Sequence, residues 1–257
     1  MKPSGIVTLL TDFGTRDPFV GVMKGVVLSH CPSAAIVDLT HEIEPQRVAD
    51  AAFWLAQAYR YFPPGSVHVA VVDPGVGSAR KAVVLRADEQ LFVGPDNGIL
   101  QGVRGRAEVS EAREISLDHF GLPPPSRTFH GRDVFAPVAG LLASGRIAFP
   151  QVGPSTALLA TAPVPEPVLS PGAACGEVVV IDRFGNLITN LTGPFPEGAR
   201  ISVIGRSVPL VATYADAASG SLLAVFGSFG QLEIAERDGS AALSLAAKRG
   251  TPVRVDW

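Results

Sequence analysis

Ile6-Val-Thr-Leu-Leu10 runs into Thr11-Asp-Phe-Gly-Thr-Arg-Asp17 and then Pro18. The first segment is a short, nearly continuous apolar run, the pattern of a strand buried on both faces. The second is a polar, glycine-containing loop. Asp17-Pro18 reads as an N-cap followed by proline at the first helical position, so a helix is predicted next, ending near Cys31-Pro32. Strand, loop and helix in that order open an α/β layered domain.

The same alternation continues outward. Ala35–Leu39 reads as a second strand. Glu44-Pro45 is expected to open a helix with Val48, Ala52, Leu55, Tyr59 and Phe62 at helical spacing, stopped by Pro63-Pro64-Gly65. Val67–Val72, Ala82–Leu85 and Leu91–Val93 read as further strands, and Asp133–Ser144, closed by Gly145, as the last long helix. The pattern then changes. Pro150, Pro154, Pro163, Pro165, Pro167 and Pro171 mark a stiff connector. Beyond it, residues 177–181, 199–204, 208–213, 222–226, 232–235 and 252–257 read as short strands separated by Gly and Ser turns, as in a small all-β barrel. The expected organisation is an N-terminal α/β domain over residues 1–161, a Pro-rich linker over 162–172 and a C-terminal β-barrel domain over 173–257.

Composition narrows the function classes. The chain has 257 residues, 47% hydrophobic and 18% charged, which excludes a disordered protein. Its formal net charge is −3 and it has no basic run, which argues against nucleic-acid binding through phosphate neutralisation. The longest nearly uncharged stretch, 147–176, is broken by the prolines named above and is no spanning helix, so no membrane partner is expected. Cys31 and Cys175 form no CxxC pair; with no signal-peptide pattern at the start, a cytoplasmic setting is expected.

Walker A, HExxH and GxSxG motifs are absent, and Gly75-Val-Gly-Ser-Ala-Arg80 is a poor match to GxGxxG. What remains is a set of polar residues at the ends of buried strands, where open α/β sheets bind ligands. Asp12 follows the first strand, Asp73 the third, and Asp96 and Asn97 the fifth. A lone aspartate there more often holds a turn; two, each in a Gly-containing loop, favour a shared site. His130, in Phe129-His-Gly-Arg-Asp-Val-Phe135, precedes a helix, and with a carboxylate and an arginine it could act as a base towards water. His68 alternates with apolar residues and reads as a packed histidine. In the second domain Asp182, Phe184 and Asn186 offer a carboxylate, a ring and an amide, suited to an amino-acid head group or a nucleobase.

Thr-Asp-Phe-Gly at 11–14, Val-Val-Asp-Pro-Gly-Val-Gly at 71–77, Phe-Val-Gly-Pro-Asp-Asn-Gly at 92–98, Phe-His-Gly-Arg-Asp-Val-Phe at 129–135 and Ile-Asp-Arg-Phe-Gly-Asn at 181–186 together resemble the S-adenosylmethionine hydroxide adenosyltransferase family, relatives of the fluorinase and chlorinase. The resemblance spans both domains. It implies hydrolysis of S-adenosyl-L-methionine to adenosine and L-methionine by attack of water at C5′, with no cofactor and no metal. It also implies a homotrimer whose sites lie between one subunit's N-terminal domain and a neighbour's C-terminal domain. By position, Asp73, Arg80 and His130 match the water-activating set and Asp12 the ribose-diol aspartate. Asp182 matches a carboxylate near the methionine amine, Asn186 an amide at the substrate and Phe184 a ring beside adenine. Tyr214, Ser228 and Glu233 fall in segments resembling the remaining substrate contacts. Gly131 stands where the halogenases carry a serine and Asp73 where they carry a tyrosine, and an inserted loop of the fluorinase is missing; these departures favour water over halide. A 5′-halogenase, a non-catalytic sensor of S-adenosylmethionine or adenosine, and a metal phosphohydrolase using Asp12, Asp73 and Asp133 are the competing readings.

Overall fold

The computed structural model describes residues 1–158, 160 and 165–257. The chain divides into two compact units, Met1–Pro163 and Val164–Trp257. No helix among the described residues is long and apolar enough to cross a membrane.

The first unit is built on a seven-stranded sheet in the order β2-β1-β3-β5-β4-β6-β7. Its strands are β1 (Ile6–Thr11), β2 (Ala35–Thr40), β3 (Val67–Val71), β4 (Ala82–Ala87), β5 (Gln90–Pro95), β6 (Ser110–Glu114) and β7 (Ser155–Thr156). β2, β1, β3 and β5 are parallel; β4, β6 and β7 add antiparallel pairs. The helices are α1 (Phe19–His30), α2 (Val48–Ala58), α3 (Gln101–Arg104) and α4 (Ala136–Ala143). Val7 and Leu9 of β1 pack with Met23 and Val27 of α1 and Val138 of α4 on one face. Leu10 and Ala70 pack with Leu55 of α2 and Val103 of α3 on the other. Period-two alternation thus feeds two cores, one on each side of the sheet. Each fully buried Leu or Val contributes about 1.5–3 kcal/mol.

Three local readings need correction. The helix expected from Glu44-Pro45 begins only at Val48. Gln46 sits at φ +67°, in the left-handed region, so residues 44–47 form a turn instead. α1 begins at Phe19 with no side chain capping it, so Asp17 is not its cap. β6, Ser-Glu-Ala-Arg-Glu, escaped the pattern because only Ala112 is buried; its charges are used laterally, where Glu111 pairs with Arg86 and Arg113 at 2.9 Å each.

The second unit carries β8 (Val168–Ser170), β9 (Ala173–Ile181), β10 (Leu187–Thr192), β11 (Arg200–Val203), β12 (Arg206–Val208), β13 (Leu222–Phe226), β14 (Gln231–Glu236) and β15 (Pro252–Asp256), with the short helix α5 (Ala241–Ser244). The strand order is β12-β11-β15-β9-β10-β14-β13, with β8 also on β9. The segment expected as a strand over 208–213 stops at Val208. Past Pro209 the chain meets β13 instead: Val211 N–H donates to the Ala224 carbonyl at 2.9 Å and Ala224 N–H to the Pro209 carbonyl at 2.8 Å. These bonds bring the two end strands together and make the sheet nearly barrel-shaped around Val178, Leu187, Ile201, Leu232 and Val255. Residues 168–170 of the expected linker form β8, and residues 162–164 lie outside the described set.

Candidate active site

β1 sends its chain to β2 on one side and pairs with β3 on the other. That is a topological switch point, the place where open α/β sheets leave a crevice at the strands' carboxyl ends. The register Thr11↔Val71 sets the loops that follow β1 and β3 side by side. Asp12 leaves the first and Asp73 the second. Both line one cavity of about 500 Å³, together with Phe13, Phe19, Phe129 and His130.

Asp73 and Arg80 are the two ends of a tight loop. Arg80 Nε donates to Asp73 Oδ1 at 2.9 Å and its Nη2 to Oδ2, a two-pronged ion pair with side chains only 5% and 10% exposed. The same Nη2 donates to His130 Nδ1 at 2.7 Å. Arginine has no lone pair to offer, so Nδ1 is the acceptor and the neutral ring carries its hydrogen on Nε2. Burial first, then the Arg80 charge, holds the His130 pKa below its ordinary value, against the opposing pull of Asp73, Asp133 and the Ser126 backbone. Gly77 makes this meeting possible. It lies at φ +75°, and a Cβ there would sit 2.4 Å from the Arg127 carbonyl oxygen. The loop after β3 therefore presses directly on the segment that carries His130.

Supports that the sequence did not reveal hold the two loops. Gln46 N–H donates to Asp12 Oδ2 at 2.8 Å, which is what the left-handed turn at 44–47 achieves. Asn97 Nδ2 donates to the Val72 carbonyl at 2.8 Å and braces the approach to Asp73. Asn97, noted above as a strand-end residue, thus supports the loop through the backbone, and Asp96 Oδ1 accepts from Ala160 N–H at 3.4 Å. Asp133 takes Arg132 Nε at 2.6 Å and Ser126 N–H at 2.9 Å; Arg132 above all holds its carboxyl down at about 2. Asp73 and Asp133 are thus each paired with an arginine, Arg80 and Arg132. No three His, Cys, Asp or Glu among the described residues are placed to hold a metal ion.

The second unit presents its own polar set. Asp182 Oδ1 accepts from Phe184 N–H and Asn186 N–H, and its Oδ2 from Asn186 Nδ2, all at 2.9 Å. Asp182 is therefore a turn-holding aspartate, and through Oδ2 it fixes the orientation of the Asn186 amide. Phe184 is 76% exposed beside it. Tyr214 donates its hydroxyl to Glu233 Oε2 at 2.8 Å. Burial raises the Glu233 pKa and the Asp182 charge adds to it, while the Tyr214 bond works the other way. Burial and Glu233 together raise that of Tyr214. A Cβ on Gly227 would fall on the Glu233 carboxylate, so glycine there keeps room for it. Ser228 lies in the exposed turn between β13 and β14, with no side-chain bond to this set.

Residues 7–153 match the model of the SAM hydroxide adenosyltransferase N-terminal domain, and residues 176–254 that of the C-terminal domain. The chain belongs to the SAM hydroxide adenosyltransferase family. It is 42% identical to an (R)-S-adenosyl-L-methionine hydrolase of Thermus thermophilus, across 99% of this chain and all of that one. A crystal structure of an uncharacterized conserved protein from Thermotoga maritima matches with a TM-score of 0.90 and 37% identity, over 98% of this chain and all of that one. A fluorinase of an Actinoplanes species is more distant, 29% identical over 97% of each chain. In this member of the family the linked Asp73, Arg80 and His130 sit in the first unit, and the Asp182–Asn186 and Tyr214–Glu233 pairs in the second.

Proposed function

We infer that this protein is a hydrolase that splits (R)-S-adenosyl-L-methionine into adenosine and L-methionine. The full-length likeness to the Thermus thermophilus hydrolase carries this reading. A hydroxide adenosyltransferase moves the adenosyl group to a water-derived oxygen, so the bond broken is C5′–S. The descriptor L fixes the amino-acid carbon, so (R) refers to the sulfonium sulfur.

The reaction needs an oxygen held in line with the C5′–S bond. As the C5′–O bond forms, the sulfonium takes the C5′–S electron pair and leaves as the neutral thioether of methionine, and the attacking water must lose a proton. We propose that Asp73 accepts that proton late in the attack. Arg80 holds both oxygens of Asp73 and spans it to His130. His130 was expected above to take the proton itself. With its Nδ1 lone pair facing Arg80 and its hydrogen on Nε2, it serves better as the group that orients Arg80 and donates. Asp12, fixed through one oxygen by Gln46, keeps the other for a ribose hydroxyl. Substrate and water supply every atom transferred, so the chemistry calls for no cofactor. We further propose a homotrimer in which a neighbour's second unit brings Asn186 and Phe184 to the nucleoside, with Asp182 positioning Asn186 and Tyr214, Glu233 and Ser228 completing the pocket. A cytoplasmic setting suits two unpaired cysteines.

The test is chromatography after incubation of each sulfur epimer with protein in oxygen-18 water, with and without chloride. Label on the adenosine 5′ oxygen, formed faster from the (R) epimer, is the expected result. A 5′-chloro nucleoside formed with chloride would move the protein to the halogenases. Binding without product would make it a sensor.

A further inference from the structure

We propose that Phe13, Phe19 and Phe129 form the surface that receives the sulfonium sulfur and its methyl group, and that this aromatic wall selects a charged sulfonium of one configuration over the opposite epimer and over a neutral thioether. The proposal rests on the hydrolase reading and adds the group that reads the substrate's sulfur.

The three rings form one edge-to-face cluster. Their centroids are 6.0 Å apart for Phe13–Phe19, 5.9 Å for Phe13–Phe129 and 5.3 Å for Phe19–Phe129, with interplanar angles of 62°, 74° and 86°. All three line the cavity that holds Asp12, Asp73 and His130. Phe13 and Phe129 also pack against the core between α1, α4 and the sheet. Phe19 does not: it is 46% exposed at the first turn of α1, where a polar residue would satisfy the helix equally well. Its place is explained by what enters the cavity. Ring faces carry negative charge density and attract cations whose charge is spread over attached carbons, as a sulfonium's is. Phe129 already accepts one cation, since the Arg132 guanidinium lies 5.3 Å over its ring. The remaining charge in the cavity suits a cation too: Arg80 is paired with Asp73, and the Asp12 carboxylate also lines it.

Stereochemistry turns this wall into a selector. The sulfonium is a pyramid with three arms: C5′, methyl and the amino-acid chain. In-line attack by water held near Asp73 fixes the S–C5′ axis. The other two arms then exchange places between epimers. A cavity with one aromatic side admits the methyl there and disfavours the zwitterionic chain, which must shed water to approach phenyl rings.

The variants are Phe19→Leu and Phe129→Leu, which retain an apolar side chain and remove the π face. For each, kcat/KM is measured on the separated (R) and (S) epimers, and calorimetry gives the affinity for both epimers, for S-adenosylhomocysteine and for adenosine. The expected result is a fall of about tenfold in kcat/KM for the (R) epimer, a ratio between epimers moving towards one, and adenosine affinity within about twofold of the parent. Retained adenosine binding also shows that the variant is folded. An unchanged epimer ratio, or an equal loss for adenosine and the sulfonium ligands, would overturn the proposal. Should the parent protein turn over neither epimer, the hydrolase reading fails, while the calorimetric comparison of charged and neutral ligands still decides the role of the wall.

Discussion

Arg80 has two tasks that a lysine cannot share. Its Nε and Nη2 fit both oxygens of Asp73, and the second hydrogen on Nη2 reaches His130. A lysine is a point charge without that fixed fork. Arg80→Lys should lower kcat by about a hundredfold and leave KM within a few-fold, since positioning losses fall on the transition state. Steady-state kinetics check it; an unchanged kcat would remove Arg80 from the chemistry. The same bond sets an acid limb. A protonated His130 carries hydrogen on both nitrogens and can no longer accept from Arg80. Its pKa is lowered by burial and by Arg80, so the imidazole is neutral at pH 7 and activity should hold until the pH falls below 6.5. A kcat profile that declines already above pH 7 would contradict this. Asp73 and His130 stand out in the sequence because acid and imidazole chemistry is written in their side chains. Gln46 and Asn97 were missed or misread because what they give the site is a backbone N–H or a bond to a backbone carbonyl, which the sequence does not display.

The element that carries His130 is a wide helical turn over Gly131–Phe135, closed by Ala136 N–H donating to the Gly131 carbonyl, five residues back. Pro137 explains it. Proline has no N–H for the carbonyl of Asp133, and its ring would crowd that oxygen in a regular α-helix. A helix was legible here from its apolar residues and its Gly145 stop, but its entry geometry was not, because periodicity does not report which carbonyl an N–H chooses. Pro137→Ala should let the turn tighten, draw His130 from Arg80 and cut kcat about tenfold while thermal stability is kept or raised. A full-rate Pro137→Ala enzyme would show the wide turn to be incidental. The central strands were read more fully, His68 included. It sits fully buried between Thr8 Oγ1, 2.8 Å from Nδ1, and Gln90 Oε1, 2.5 Å from Nε2, and stacks on Phe92. Burial brings its pKa down to about 4 against the Gln90 bond. The unfolded chain binds a proton there below pH 6.5 and the folded chain does not until about pH 4. The stability it supports is therefore complete above pH 6.5 and lost as the pH falls towards 4. Between pH 7.5 and 5 that loss is about 2 kcal/mol. Urea titrations should show this slope in the parent protein and a flatter one in His68→Asn; equal slopes would mean that another group carries the effect.

At the scale of the whole molecule, the alternation of strands and helices before residue 150 and the run of short strands after 172 made two units legible. The near-closure of the second sheet was not, because it depends on Val211 and Ala224 bonding across the ends of a sheet, and no local pattern records that meeting. The polar residues are split likewise: Asp12, Asp73, Arg80 and His130 belong to one unit, Asp182, Asn186, Tyr214 and Glu233 to the other. A trimer with sites shared between neighbours makes a quantitative prediction about this division. His130→Ala and Asn186→Ala should each be nearly inactive alone. Unfolded together in equal amounts and refolded, they form rings in which a site is intact whenever the first unit comes from the Asn186→Ala chain and the second unit from a neighbouring His130→Ala chain. Random assortment makes that about a quarter of all sites, so about a quarter of the parent activity should return. A site built within one chain returns nothing, since every chain in the mixture bears a lesion. The recovered fraction thus measures directly whether catalysis belongs to the chain or to its assembly.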